Sequence, residues 1–300
     1  MITPYTAAGT VDEPGLRAMA RFLIEGGVHG LHPCGTTGEA PLLSVAERKL
    51  VAETVIDAAG GQVPVIIQVG HMHAGVAAEL AQHAADSGAD AISVVTPYYY
   101  ALPERALLSY FRTVIRAVPG TLPVYLYNIP QCTANPVSAQ LLGQLMTEFP
   151  NLVGIKHSQN DVVWLAEYQE AAERGAQVFV GSDSVALAGL SLGAHGIVSG
   201  NANVFPELFV RLYHAVTSQQ LQAARTLQTH ISHLAGVLGN GSSLASFKEA
   251  ASRRGVPISN AAREPLAALS EDEAGRVTAV LAYAEQHALL TGDGTVQSTT

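Results

Sequence analysis

The sequence predicts an α/β protein, an eight-stranded (β/α)8 TIM barrel followed by a C-terminal helical extension. Short β-rich runs alternate with longer Ala/Leu-rich stretches, the runs are apolar on both faces, and more helix follows the last run than one βα unit needs. The strand candidates are Val28 to Pro33, Val63 to Gly70, Ala91 to Pro97, Leu122 to Pro130, Val153 to Ser158, Gln177 to Asp183 and Gly196 to Gly200. Between them Val45 to Ala59, Gly75 to Ser87, Pro103 to Ala117, Ser138 to Phe149, Asp161 to Glu173 and Ser184 to Leu192 carry apolar residues at helical spacing. The first strand is short, since only Ile2 to Tyr5 precedes the helix-like Glu13 to Glu25, as in a chain that begins late in that strand; whether it starts upstream of Met1 is left open. A doubly wound open sheet is the competing fold.

Beyond the last strand, Glu207 to Val237, Leu244 to Arg254 and Glu271 to Leu290 read as helix. We therefore expect a catalytic barrel over residues 1–218, a helical extension of the same domain over 219–290, and a disordered small, polar tail over 291–300. No internal repeat beyond the βα period and no domain-separating linker interrupts the chain.

Composition narrows the function. Three hundred residues with 48% hydrophobic content supply a core large enough for one barrel. With 25 acidic against 16 basic residues the net charge is -9, which argues against a general positive field for nucleic acid. No apolar run is long enough to span a bilayer, and Met1 to Tyr5 lacks a secretory pattern, so the cytoplasm is expected. Cys34 and Cys132 lack the number for a disulfide scaffold and the spacing for a zinc site, and read as reduced thiols.

The chemistry centres on Lys156, which ends the apolar run Val153-Gly154-Ile155. Low-dielectric walls disfavour the ammonium, so the pKa of this amine is expected to fall toward the range where it attacks a carbonyl. A lone lysine at a strand end more often snorkels to water, and the neighbours decide against that. Barrel active sites lie at strand C-termini, which gathers Gly35-Thr36-Thr37-Gly38-Glu39, Tyr98-Tyr99-Tyr100, Tyr127-Asn128, Lys156 and Gly181-Ser182-Asp183. In Gly35 to Glu39, the glycines allow a tight turn while backbone N–H groups and two hydroxyls converge on an anion such as a carboxylate. Tyr127 ends the strand before the one that bears Lys156, where its phenol would pass protons; a structural hydrogen bond is the alternative. The tyrosine run suits a subunit contact as readily as a substrate contact.

GTTGE, TPYYY, YNIP, GIKHS and GSDSVALAGLSLGAHGIVSGNANV, in this order over nearly the whole chain, resemble the dihydrodipicolinate synthase and N-acetylneuraminate lyase family. The resemblance implies a class I aldolase that joins or cleaves pyruvate and an aldehyde through an imine on its lysine, with no metal or organic cofactor. It implies Lys156 as the Schiff-base lysine, Tyr127 as the proton-shuttling tyrosine, and Thr36 and Thr37 as the pair that binds the pyruvate carboxylate and completes the relay. Gly35 and Gly38 frame that pair, and Tyr99 resembles the tyrosine donated across a subunit interface of a homotetramer built from dimers. Dihydrodipicolinate synthases carry an arginine where Cys132 follows Tyr127-Asn128-Ile129-Pro130-Gln131, and a thiol cannot make a bidentate pair with a carboxylate. That points away from aspartate semialdehyde and toward a 2-keto-3-deoxy sugar acid or a sialic acid, contacted by Ser182, Asp183, Val198 and Asn201. The aldehyde, the physiological direction, an aldolase or dehydratase outcome and any allosteric control are not written in these residues.

Two readings from other classes stand beside it. His71-Met72-His73 with Lys156, Asp183 and His195 suggests a metal-dependent hydrolase barrel, although the HxH follows the third strand candidate rather than the first. A catalytically silent binding barrel is the other.

Overall fold

The structure, a computed structural model, describes residues 1–173, 175–238 and 243–290. In chain order the elements are α1 (Glu13–Glu25), α2 (Val45–Ala59), β1 (Ile66–Gln68), α3 (Ala74–Asp86), β2 (Ala91–Val95), α4 (Glu104–Ile115), β3 (Val124–Asn128), α5 (Pro130–Thr133), α6 (Ala139–Glu148) and β4 (Leu152–His157). There follow α7 (Val162–Glu173), β5 (Gln177–Val180), α8 (Ala186–Ser191), β6 (Gly196–Ile197), α9 (Pro206–Thr217), α10 (Leu221–Leu238), α11 (Leu244–Arg253) and α12 (Glu271–Gln286).

The strands form one parallel six-stranded sheet in the order β1 to β6, each joined to the next by a helical crossover. Helix starts follow the sequence: Ser44 and Glu47 make a reciprocal capping box at α2, and Ser270 and Glu273 repeat it at α12. The main core lies between the outward sheet residues, such as Ile92, Leu126, Ile155 and Val178, and the apolar faces of the helices. The residues alternating with them, including Tyr127 and Lys156, face the opposite side of the sheet.

Among the described residues six ladder strands were found where eight were expected. Leu31 contributes a single parallel bridge to Val65, and Tyr5 pairs only with Val11 in a local antiparallel bridge. Prolines 4 and 33 lack the N–H that a continued ladder needs. Both segments nevertheless flank the sheet: Leu31 N donates to Pro64 O at 2.9 Å, the Met1 amine to His32 O at 2.8 Å, and Ile2 N to Asn203 Oδ1 at 2.9 Å.

The C-terminal region is helical as expected, but the stretch read as one helix from Glu207 is two. Gln219 adopts φ +59 between α9 and α10, which ends the first helix. The expected tail, 291–300, lies outside the described residues. Among the described residues no helix is long and apolar enough to cross a membrane.

Candidate active site

Register places the two central side chains side by side. Tyr127 pairs with Lys156 across β3 and β4, and Lys156 pairs with Phe179 across β4 and β5. Partners in a parallel ladder project to the same face, so the phenol and the amine meet at the sheet's C-terminal edge, where Lys156 Nζ lies 4.1 Å from the centroid of the Tyr127 ring. The amine makes no hydrogen bond or ion pair with any described residue. Gly181 lets β5 come close, because a Cβ there would collide with Ser158 Oγ and stand 3.0 Å from Lys156 Cε.

A cavity of about 540 Å3 opens above the amine; Thr36, Thr37, Tyr127, Ser182, Asp183 and Asn201 line it with Lys156. Thr36 and Thr37 begin a 3-10 turn in which Gly38 N donates to Gly35 O at 3.0 Å and Glu39 N to Thr36 O at 3.1 Å. The amides of Thr36 and Thr37 donate to no described residue, which leaves them available to an anion. Thr36 Oγ1 lies 3.2 Å from Tyr127 Oη and ties the turn to the phenol.

On the far wall Asn201 Nδ2 donates to Asp183 Oδ2 at 2.6 Å, while Asp183 Oδ1, Asn201 Oδ1 and Ser158 Oγ are buried without a partner among the described residues. Burial pushes the Asp183 carboxyl upward, opposed by hydrogen bonds from Ser199 and Asn201 and by the charge of Lys156.

Of the residues singled out in the sequence, Val198 joins this lining, whereas Gly35 borders a second cavity described below. Gly38 is buried, its carbonyl accepting from Thr3 Oγ1 at 2.7 Å. Cys132 is not brought to the lining. It is exposed on α5, where successive residues are about 100° apart, and Gln131 faces the cavity instead, donating from Nε2 to Ser158 O at 2.5 Å. Tyr99 also stands apart, 81% exposed with φ +80. His71 and His73 follow β1 without lining either cavity, and no group of three or more His, Cys, Asp or Glu among the described residues is arranged to hold a metal.

The sequence reading missed two features. Leu244 and Phe247 of α11, with Pro265 and Leu266, bring the C-terminal region to the cavity rim. A second cavity of about 680 Å3 runs on the inner side of the sheet from Lys156 and Tyr127 toward Asp90 and Tyr213, where a filled barrel interior is usual. His32 lines it with Nε2 2.7 Å from Ser93 Oγ, and burial together with Lys156 holds this imidazole well below its ordinary pKa.

The family model for the dihydrodipicolinate synthetase family matches residues 1–284. The chain belongs to that family. A 4-hydroxy-tetrahydrodipicolinate synthase of Methanopyrus kandleri is 36% identical over 91% of this chain and 90% of its own. A prophage protein of E. coli K12 from the dihydrodipicolinic acid synthase family, solved with pyruvate, superposes with TM-score 0.88 at 32% identity, covering 96% of each chain. The Ruminococcus gnavus sialic acid aldolase gives TM-score 0.89 at 28% identity, covering 95% of this chain and 96% of its own. As a member of the dihydrodipicolinate synthetase family the chain is an enzyme, a carbon–carbon lyase.

Proposed function

We propose that this protein is a pyruvate-dependent class I aldolase, which cleaves or forms the bond between pyruvate and a polyhydroxylated aldehyde such as that of a 2-keto-3-deoxy sugar acid or a sialic acid. The observation that carries the reading is the unpartnered amine of Lys156 beside the Tyr127 ring, with the Thr36 hydroxyl on the phenol.

In the cleavage direction the free Thr36 and Thr37 amides and hydroxyls seat the 2-keto carboxylate. Lys156 Nζ adds to the keto carbon, and the carbinolamine loses water to give an iminium. Tyr127 and Thr36 carry the protons. Removal of the C4 hydroxyl proton sends the C3–C4 bonding pair into the iminium; aldehyde leaves and an enamine stays on Lys156. Protonation at C3 and hydrolysis of the imine release pyruvate and restore the amine. The step needs no metal or organic cofactor, because the imine nitrogen is the electron sink. Asp183, Asn201, Ser182 and Val198 line the part of the cavity assigned to the aldehyde portion, where polar side chains suit hydroxyls.

Synthesis of 4-hydroxy-tetrahydrodipicolinate from pyruvate and aspartate semialdehyde is the second reading, favoured by the name of the Methanopyrus relative. Against it, Lys156 is the only cationic side chain among the described residues lining the cavity, and it is committed to the imine. An eight-position barrel closed by the N-terminal segment and Leu31, with residues 219–290 as an extension of the same domain, accounts for the flanking hydrogen bonds. A cytoplasmic homotetramer, with Tyr99 reaching a partner's site, completes the proposal.

Borohydride with pyruvate is expected to trap an adduct on Lys156 that is absent in Lys156→Ala; an unmodified wild-type Lys156 ends the reading. Tyr127→Phe should lower kcat about 100-fold with a small change in pyruvate KM. A panel of sugar-derived 2-keto-3-deoxy acids, sialic acid and aspartate semialdehyde, followed by pyruvate release or consumption, separates the two substrate classes.

A further inference from the structure

Glu39, the last residue of the GTTGE turn, is joined to Lys248 of α11, 209 residues away, by a bond of 2.5 Å between Oε1 and Nζ, with both side chains wholly buried. We infer that Glu39 and Lys248 are positioning residues, which hold the Thr36–Thr37 turn in the shape that receives the 2-keto carboxylate; this rests on the pyruvate-dependent reading above.

The pair is fully furnished. Glu39 Oε2 accepts from Arg263 N at 3.0 Å, and Lys248 Nζ also donates to Ala261 O at 2.6 Å and lies 4.2 Å from the centroid of the Tyr5 ring. Arg263 covers the same ring at 4.5 Å and makes two bonds to Glu47, at 2.7 and 2.9 Å. A buried ion pair is a poor source of net stability, because desolvation offsets the attraction, and well-packed neutral groups of like volume often serve as well. Holding geometry accounts for it better.

The geometry held is unusual. Glu39 has φ +58, a left-handed conformation that costs a residue with a Cβ and persists where its surroundings impose it. The peptide before it is fixed from the other side by Thr3 Oγ1 on Gly38 O at 2.7 Å, so the C-terminal end of the turn is tied twice. Directly before these ties come the unpaired amides of Thr36 and Thr37 and the Thr36 hydroxyl on Tyr127. The same helix that supplies Lys248 supplies Leu244 and Phe247 to the cavity rim, so one element braces the anion turn and lines the cavity beside it.

The test compares wild type with the double variant Glu39→Gln plus Lys248→Met, in which no buried charge is left alone, and with Arg254→Met. Arg254 bonds Glu207 at 2.8 and 3.0 Å, an ion pair that ties the end of the same helix to α9 and makes no hydrogen bond to the turn. Amide hydrogen exchange over residues 35–43 should quicken by about 10-fold or more in the double variant and stay unchanged in Arg254→Met. Pyruvate KM should rise about 10-fold in the double variant, with kcat at saturating pyruvate within about 3-fold of wild type, since the carboxylate contact is common to ground and transition states. Unchanged exchange in a folded double variant overturns the inference whatever the kinetics, and so does quickened exchange with an unchanged KM. If wild type forms no pyruvate adduct, the reaction proposed above falls, and the carboxylate role of the turn with it, while exchange still decides whether the pair pins the turn.

Discussion

His157 shows how much a single buried titratable residue biases this fold toward neutral pH. It follows Lys156 on β4 but turns to the helix side, where its ring packs 5.2 Å from Tyr168. Asn128 Oδ1 accepts from Val137 N at 3.0 Å, which directs Asn128 Nδ2 as a donor toward His157 Nδ1, also at 3.0 Å. The neutral Nε2–H tautomer follows, and Nε2 finds no hydrogen-bond partner among the described residues. Burial accordingly lowers the pKa from 6.5 to about 4. With the folded value depressed, the unfolded chain binds the proton first, so stability is complete above pH 6.5 and is lost as pH falls toward 4. Over that window the loss is on the order of 3 kcal/mol. Urea midpoints between pH 4 and 7.5 should fall steeply in wild type and more gently in His157→Gln, and parallel curves would show that other groups govern the acid limb.

At the scale of elements, the tight seam between β4 and β5 is what aims the lysine. A Cβ on Gly154 would overlap Gln177 O and lie 2.8 and 2.9 Å from Gln177 C and N, backbone that cannot swing aside. Gly154→Ala is expected to destabilise the chain by about 3 kcal/mol or more and to reduce trapping of Lys156 in whatever protein folds. By contrast Gly143, mid-way along α6, has open space where a Cβ would sit, and Gly143→Ala should raise the melting temperature through about 0.5–1 kcal/mol of helix propensity. A lower melting temperature for Gly143→Ala would mean that the space is filled in solution. These elements were legible because β4 and α6 carry their periodicity openly. The first two strand positions were not, since Pro4 and Pro33 remove ladder donors, and the helix break at Gln219 is marked only by the polar run Thr217 to Gln220, with no glycine or proline to announce it. The site's strand ends were legible from their motifs, whereas Glu39 and Lys248 join across 209 residues. One signal for them was present: Lys248 occupies the apolar stripe of α11 with Leu244, Phe247 and Ala251, where a lysine must find a buried partner.

For the whole molecule, the least explained surface is the aromatic loop after β2. Tyr99 and Tyr100 are 81% and 63% exposed, pack edge to face at 5.0 Å, and Tyr99 holds a left-handed φ of +80. Two large rings in a constrained loop are costly to leave in water and are typical of the buried centre of a subunit contact. In the homotetramer proposed above, that loop would meet a second copy, which would cover the rings and bring the Tyr99 phenol toward a neighbouring active site. For the proposed homotetramer, sedimentation equilibrium should return a mass about four times the 31.3 kDa of the chain, and Tyr99→Ala should shift it toward smaller species. Tyr99→Phe separates assembly from chemistry: it keeps the ring and the contact but removes the hydroxyl, so the mass should hold while kcat falls about 10-fold or more. Full turnover in Tyr99→Phe at unchanged mass would confine this tyrosine to packing, and a monomeric wild type with full activity would remove it from the site altogether.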